Sequence, residues 1–196
     1  MKNIARLCVL IAAMLILVNP ALASGPLETL KDAVDDVIEI LKKPELKGPE
    51  HEEERKRAIR EAVSRVFDFR EMAKRSLSRY WRKLDDKQRE EFVELYRGLL
   101  ERTYLKRIEA YQNERIVYKG ERIRDRYALV KTIVITDKQV EIPVDYKLIK
   151  REKGWMVYDV VIEGVSLVNN YRKQFKSIIR RSSYDGLVKM LRQKQN

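Results

Sequence analysis

The segment at residues 155–175 constrains the fold most, because it joins a strand that is apolar on both faces to an amphipathic helix. One face of the predicted strand carries alternating apolar side chains, Met156, Tyr158, Val160 and Ile162. The other face is also largely apolar, with Trp155, Val157 and Val161. A strand of this kind is usually covered on both faces. We therefore expect other elements to pack above and below it.

A helix is predicted directly after this strand. Gly164 ends the alternation, and the hydroxyl of Ser166 can accept a backbone N–H of a first helical turn. Apolar residues then recur at helical spacing, at Leu167, Val168, Tyr171, Phe175, Ile178 and Ile179. A final helix is predicted at residues 184–193. The strand thus leads through a glycine turn into helices that can return over the sheet.

The residues before this segment change from helical to alternating periodicity at Arg115. The alternation predicts four strands, at residues 116–123, 127–136, 140–150 and 155–163. Short connections at residues 136–138 and 152–154 indicate antiparallel hairpins. The third strand has one apolar face, formed by Val140, Ile142, Val144, Tyr146 and Leu148. Its other face is polar and is expected to meet water.

Helices are predicted in the first half of the chain. The first carries an apolar stripe at Leu27, Leu30, Val34, Val37, Ile38 and Leu41, and a charged second helix follows at residues 50–67. Asp68 is a predicted cap of a short third helix, and Asp85 with Gln88 forms a predicted capping box. The long helix after it has a wide apolar stripe, at Phe92, Val93, Leu95, Tyr96, Leu99, Leu100, Tyr104 and Ile108. Ordinary core explains most of this stripe, and part of it is expected to line a cavity.

This order of elements predicts an α+β fold. N-terminal helices precede a curved antiparallel four-stranded sheet, and C-terminal helices return over it. The outline is a cone that is open at one end and has an apolar pocket. It resembles the NTF2-like folds, which include both enzymes and binding proteins, so the fold alone does not choose between these functions.

The first 23 residues have the pattern of a signal peptide. Lys2 and Arg6 precede an apolar run at residues 7–18, and residues 21–23 form an A-x-A cleavage site. A membrane anchor is the alternative, but at ~1.5 Å per residue the run is too short to cross ~30 Å of hydrocarbon. Cleavage would remove Cys8, the one cysteine, and leave a single exported domain at residues 24–196.

The mature chain is predicted to be strongly basic. The formal net charge is +12, and removal of Lys2 and Arg6 leaves +10. A basic chain favours anionic partners such as lipid headgroups, acidic protein surfaces or nucleic acid. Because the chain is predicted to be exported, we expect no nucleic-acid partner, and we expect a monomer.

The sequence contains no recognisable catalytic or metal-binding motif, and we predict no catalytic residues, metal or cofactor. It has no glycine-rich phosphate loop. His51 is its one histidine, so no Ser-His-Asp set could be built on any other residue. Asp159 and Glu163 lie on one strand about 13 Å apart, too far for a direct acid–base pair. The simpler interpretation is that Asp159 makes a structural polar contact.

Three segments carry a resemblance to a known family. The C-terminal half contains YDVVIEGVSLVNNYRKQF followed by YDGLVKML, which is similar to the C-terminal signature of the MlaC family. Residues 79–111 and the strand pair around IPVDYKL, at residues 142–148, also fit. The resemblance covers roughly residues 27–191. The family comprises periplasmic phospholipid carriers, also called toluene-tolerance or ABC-transporter auxiliary proteins.

The resemblance implies a function. A glycerophospholipid would be held by its acyl chains as cargo and shuttled between outer- and inner-membrane complexes, which would maintain outer-membrane lipid asymmetry. The partners would be an inner-membrane MCE-domain ABC transporter and an outer-membrane lipoprotein–porin complex. Two alternatives stay open: an NTF2-like enzyme acting on a small apolar substrate, and an exported protein-binding adaptor without lipid.

Lipid-contacting residues are predicted from the inward-facing apolar positions. The candidates are Met72, Leu77, Phe92, Tyr96, Leu99, Ile133, Ile135, Ile142, Val144, Tyr146, Tyr158, Val160, Ile162, Val165, Val168 and Tyr171. We expect a pocket of about 1,000 Å³. Glu163, Arg79, Arg82 and Lys83 are predicted at a partner interface, where the three cations could also meet a lipid phosphate.

Overall fold

Helices precede the sheet in the chain, and a long helix follows it. The computed structural model describes residues 24–194, so the predicted signal peptide lies outside the described residues. The α-helices are α1 (Pro26–Lys42), α2 (Glu52–Val66), α3 (Phe69–Leu77), α4 (Asp86–Glu109) and α5 (Leu167–Gln193). The strands are β1 (Arg115–Arg124), β2 (Tyr127–Ile135), β3 (Glu141–Arg151), β4 (Gly154–Ile162) and β5 (Val165–Ser166). Short 3₁₀ turns occur at Pro44–Leu46, Pro49–His51 and Ser78–Lys83. The predicted α+β class is confirmed.

The predicted helix caps are present. Asp68 accepts the backbone N–H of Glu71 at 2.8 Å. Asp85 and Gln88 form a reciprocal capping box, in which each side chain accepts the other's backbone N–H at 2.8 and 3.0 Å. The Ser166 hydroxyl accepts the Asn169 N–H at 3.1 Å and begins α5. Each cap satisfies amide groups that have no partner within the helix, and so fixes where that helix begins.

The long C-terminal helix consists of two helical parts. Ser183 has φ 67° and ψ 177°, far from helical values, and interrupts the run at the point where a separate final helix was predicted. The prediction of two helices after the sheet is therefore confirmed.

All five strands form one antiparallel sheet in the order β1-β2-β3-β4-β5. The fifth strand was not predicted. Glu163 and Gly164 both have positive φ, which turns the chain so that Ile162 pairs with Val165 before α5 begins. This two-residue strand is too short to produce an alternating pattern in the sequence.

The register of β2 against β3 sets which side chains face the concave side of the sheet. Val134 is opposite Ile142 and Val130 is opposite Tyr146, and side chains on directly opposed residues share a face. Ile133 and Ile135 instead oppose Pro143 and Glu141, on the other face. Both were predicted to line the same pocket as Ile142, but their register differs from that of its partner Val134 by one residue, and in a strand one residue is a change of face.

A β-bulge changes the face of β4. Lys147 pairs with Asp159 and Leu148 pairs with Val157, so Tyr158 is an extra residue. Val157 and Val160, three positions apart, consequently join the same buried cluster, whereas Tyr158 packs against the cluster formed by α3, α4 and α5. The predicted alternation of Met156, Tyr158, Val160 and Ile162 on one face is therefore wrong.

The buried residues form two clusters. The first joins α3, the N-terminal half of α4, and α5; Phe92, Tyr96 and Phe175 are its largest fully buried side chains. The second lies between α1 and the concave face of the sheet, and includes Leu30 and Val130. The sheet is therefore covered by α1 on its concave face and by α3 and α5 along β4.

Candidate functional site

A large apolar cavity lies between the helices and the concave face of the sheet. Its volume is about 490 Å³. Its wall comes from α1, α2, the residues around the start of α3, the C-terminal half of α4, and β1 to β4. Most wall side chains are apolar: Leu30, Ala33, Val34, Val37, Ile38, Leu41, Ile59, Val63, Val66, Phe67, Phe69, Met72, Leu100, Leu105, Ile108, Ile116, Val134, Ile142, Val144, Val160, Ile162 and Leu167.

The cavity has a filled end and an open end. At the filled end, Val130, Leu148 and Val157 are fully buried and pack against one another and Leu30. At the other end, the wall includes residues from the end of α4, the loop after it and the end of β2, and Arg107 is solvent-exposed. We call this end the mouth and define it by Arg107, Tyr111, Glu114 and Thr136.

The apolar stripe of α1 forms one side of the cavity. Its wall residues recur at helical spacing from Leu30 to Leu41, yet Leu30 alone of them is fully buried. The remaining five are half-buried, because they face the cavity rather than packed side chains. The stripe was predicted from the sequence, but its position at a cavity was not. Periodicity indicates which side of a helix is apolar, but not whether that side packs against other side chains or faces a cavity.

Six of the sixteen predicted lipid-contacting residues lie on the wall of this cavity: Met72, Ile142, Val144, Tyr146, Val160 and Ile162. Five of them, all except Met72, lie on the same face of β3 and β4, and Tyr146 is opposite Val160 in the sheet. The pattern on β3 was therefore sufficient to locate this part of the wall.

The other ten predicted residues lie away from the wall. Leu77, Phe92, Tyr96, Val168 and Tyr171 are buried in the first cluster, and Leu99 and Tyr158 pack against it. Phe92, Tyr96, Tyr171 and Phe175 fill that space with stacked and edge-on aromatic contacts, with ring centroids 5.3–6.1 Å apart. Ile133 and Ile135 lie on the opposite face of the sheet, and Val165 is 58% exposed.

The division of α4 between core and cavity explains why Phe92, Tyr96 and Leu99 lie away from the wall. Its N-terminal half packs into the first cluster, and its C-terminal half contributes Leu100, Tyr104, Leu105 and Ile108 to the wall. The stripe is continuous in sequence, so no local signal marks where the packed half ends.

Polar groups on the wall are largely paired or neutral. Glu101 binds Arg97 at 2.9 Å and Arg60 at 3.2 Å, which joins α4 to α2. Burial raises the pKa of Tyr146 to about 12. Burial also raises the pKa of Tyr104, with Tyr171 adding to the effect and Arg107 opposing it. Both phenols are therefore uncharged at neutral pH, and the cavity interior remains apolar.

The predicted interface residues lie in two separate places. Arg79, Arg82 and Lys83 belong to the 3₁₀ turn between α3 and α4 and are not part of the cavity wall. Glu163 lies at the β4–β5 turn, where its N–H donates to the carbonyl of Pro143 at 2.9 Å. The three cations are therefore not at the mouth.

Asp159 has the structural role that the sequence suggested. Asp159 is 3% exposed, and its carboxylate accepts the Ser166 hydroxyl at 2.7 Å, the Val168 N–H at 3.1 Å and the Lys147 ammonium at 2.9 Å. These bonds tie β3, β4 and the start of α5 together. The bulge turns Asp159 to this side of the sheet.

Two features are absent from residues 24–194. No helix in this part of the chain is both long and apolar enough to cross a membrane. No group of three or more His, Cys, Asp or Glu side chains in the same residues is placed to hold a metal ion.

Comparison with known proteins gives consistent relatives. A curated relative, the intermembrane phospholipid transport system binding protein MlaC of Haemophilus influenzae (strain ATCC 51907 / DSM 11121 / KW20 / Rd), is 26% identical over 122 residues. These residues are 60% of this chain and 57% of the relative, so the alignment spans little more than half of that protein.

A solved structure covers more of the chain. The phospholipid-binding protein from Ralstonia solanacearum, solved in complex with a phospholipid, matches with a TM-score of 0.77 and 28% identity. The match covers 85% of this chain and 94% of the other. A family model described as MlaC protein matches residues 31–193, which include all of the cavity wall except Leu30. The chain therefore belongs to the MlaC family.

Proposed function

We propose that this protein is a phospholipid carrier that encloses acyl chains in the cavity between α1, α2, α4 and the sheet. The observation that carries the proposal is the cavity itself, about 490 Å³ with an almost entirely apolar wall. Two acyl chains have about thirty methylenes, and at ~0.8 kcal/mol each their exposure to water costs on the order of 20–25 kcal/mol. A carrier has to provide an apolar enclosure of this kind.

The volume also indicates how the lipid would sit. It lies within the range of ordinary ligand pockets, about 300–1,000 Å³, but is smaller than the volume predicted from the sequence. We therefore infer that the acyl chains enter the cavity and that the headgroup stays at the mouth. The contacting residues would be the six predicted wall residues together with the stripes of α1 and α2.

Lipid extraction tests the carrier proposal directly. Protein purified without detergent is expected to release phospholipid into organic solvent, in an amount on the order of one molecule per protein, measured by mass spectrometry. The Haemophilus and Ralstonia relatives support this expectation, since their names describe phospholipid transport and binding. A preparation that contains folded protein and no phospholipid, even after incubation with vesicles, would contradict the proposal.

The proposed site of action is the periplasm. The support is the signal pattern at residues 1–23, which lies outside the described residues, and the family to which the chain belongs. We expect exported protein to begin at Ser24 as a single lipid-binding domain. An intact mass that retains residues 1–23 would contradict this processing.

The carrier would exchange lipid with complexes in both membranes and so contribute to outer-membrane lipid asymmetry. We propose the inner-membrane MCE-domain ABC transporter and the outer-membrane lipoprotein–porin complex as partners, with Glu163 near one contact. The charge of +10 that remains after cleavage would favour encounter with acidic surfaces. Association rates measured at rising salt test this, because screening should lower them.

The proposal includes no catalytic step. Asp159, the fully buried carboxylate on β4, is occupied by Ser166, Val168 and Lys147 and faces away from the cavity. It is therefore not available to a molecule held between α1 and the sheet.

A further inference from the structure

The mouth of the cavity carries an arginine that belongs to the cavity-facing side of α4. Leu100, Tyr104, Ile108 and Tyr111 follow one another at helical spacing on the wall, and Arg107 lies on the same side. The adjacent Lys106 is exposed and does not contribute to the wall. The position of Arg107 is thus distinct from that of the many surface cations of this chain.

Arg107 has no carboxylate partner in the described part of the chain. Its guanidinium lies over the ring of Tyr104, 5.8 Å from the centroid, and no acidic oxygen among residues 24–194 comes within 4.0 Å. Arg60, the other cation on the wall, has Glu101 at 3.2 Å. The Tyr104 ring therefore holds the uncompensated positive charge of Arg107 beside the opening. The N–H donors of the Arg107 guanidinium are free there to bind an anion.

A carboxylate without a cation partner lies at the same opening. Glu114 is on the wall in the loop between α4 and β1, and its side chain accepts the N–H of Gln112 at 2.7 Å. Within residues 24–194 no Lys, Arg or His nitrogen approaches it within 4.0 Å, Arg107 included. The start of β1 pairs with the end of β2, which brings Thr136 to this edge as well.

We propose that Arg107 and Glu114 select phospholipids with a zwitterionic headgroup. Arg107 would bind the phosphate, and Glu114 would bind the ammonium group attached to it. Both contacts are charge-assisted hydrogen bonds. A headgroup with a phosphate and no cation would still meet Arg107, but it would leave Glu114 unpaired and be repelled by it. This inference rests on the proposed carrier function and names its preferred cargo.

The expected selectivity is modest, because both groups lie at a solvated mouth. Exposed charge pairs typically change an equilibrium by about two- to fivefold. Delipidated protein is incubated with vesicles of equal phosphatidylethanolamine and phosphatidylglycerol, isolated again and extracted. Wild-type protein is expected to contain about two- to fivefold more phosphatidylethanolamine, measured by mass spectrometry.

Substitutions at Glu114 and at Arg107 separate the two contacts. Glu114→Gln is expected to bring the ratio of the two lipids close to one. Arg107→Gln is expected to lower both phospholipids about two- to fivefold relative to diacylglycerol added to the same vesicles, because diacylglycerol has no phosphate. Arg107→Lys keeps the charge and should restore part of the phosphate preference.

Matched controls use exposed residues that do not contribute to the wall. Lys106→Gln and Glu141→Gln remove the same charges near the same end of the molecule and should leave both ratios unchanged. The headgroup proposal would be overturned by equal amounts of the two phospholipids in wild-type protein, or by a ratio that does not change in Glu114→Gln. In either case, total bound lipid would still support the carrier function. Absence of every lipid from folded wild-type protein would overturn the carrier function itself.

Discussion

Replacement of Ile142 by tryptophan is expected to remove most of the bound phospholipid and to leave the protein folded. Ile142 is half-buried on the cavity wall, so the larger side chain can extend into space where an acyl chain would lie. In a packed core such a replacement typically costs ~1–3 kcal/mol. At the wall we expect less than about 1 kcal/mol. Lipid per folded protein, measured by mass spectrometry of organic extracts, should fall severalfold.

The matched control is Val157→Trp on the same side of the sheet. Val157 is fully buried in the second cluster and does not line the cavity. The same added volume there has no space to occupy, and should lower the melting temperature strongly. Melting must be measured on delipidated samples, since bound lipid itself stabilises the folded state. If Ile142→Trp keeps its full complement of lipid, or destabilises the protein as much as Val157→Trp does, the cavity does not hold acyl chains as proposed.

Replacement of Asp159 by alanine is expected to cause the largest loss of stability on the sheet. It removes the acceptor for Ser166 and for the first turn of α5, and it leaves the partly buried Lys147 ammonium without its partner. Loss of one member of a buried charge pair costs on the order of 3 kcal/mol or more. For a chain of this size, that corresponds to a melting temperature lower by about 6–12 °C.

Asp145→Ala is the control for this experiment. Asp145 is half-buried on neighbouring β3, and no hydrogen bond or ion pair of its side chain occurs within residues 24–194. Its replacement should change stability by no more than about 0.5 kcal/mol. Asp159→Asn keeps the acceptor for Val168 but loses the charge opposite Lys147, so its melting temperature should lie between the two. Equal melting temperatures for the two alanine variants would show that the Asp159 contacts contribute little.

Some features of this protein are encoded locally and were therefore predictable. The caps at Asp68, Asp85 and Ser166 depend on residues three positions apart in the chain, and all three formed as predicted. The strands were located within one or two residues, because alternation persists over most of each strand. The segment at residues 155–175 also predicted correctly that helices return over the sheet.

The faces of the strands required the tertiary structure. Alternation assigns side chains to two faces but does not say which face is concave, and Ile133 and Ile135 were placed on the wrong side for this reason. The bulge at Tyr158 adds one residue to β4 and reverses the alternation beyond it. The bulge is defined by pairing with Lys147 and Leu148, residues of another strand, so β4 alone contains no signal for it.

The sequence by itself determined the helices, their caps and the four long strands. Only the tertiary structure decided which face of each strand is covered, which apolar surfaces touch and which enclose a cavity. Phe92 and Ile108 belong to the same stripe of α4, yet one is fully buried against α5 and the other faces the cavity. The physical reason is that burial of an apolar side chain depends on how close the opposing element lies. That distance is set by the packing of α1, α2 and α4 around the sheet, through contacts between residues far apart in the chain.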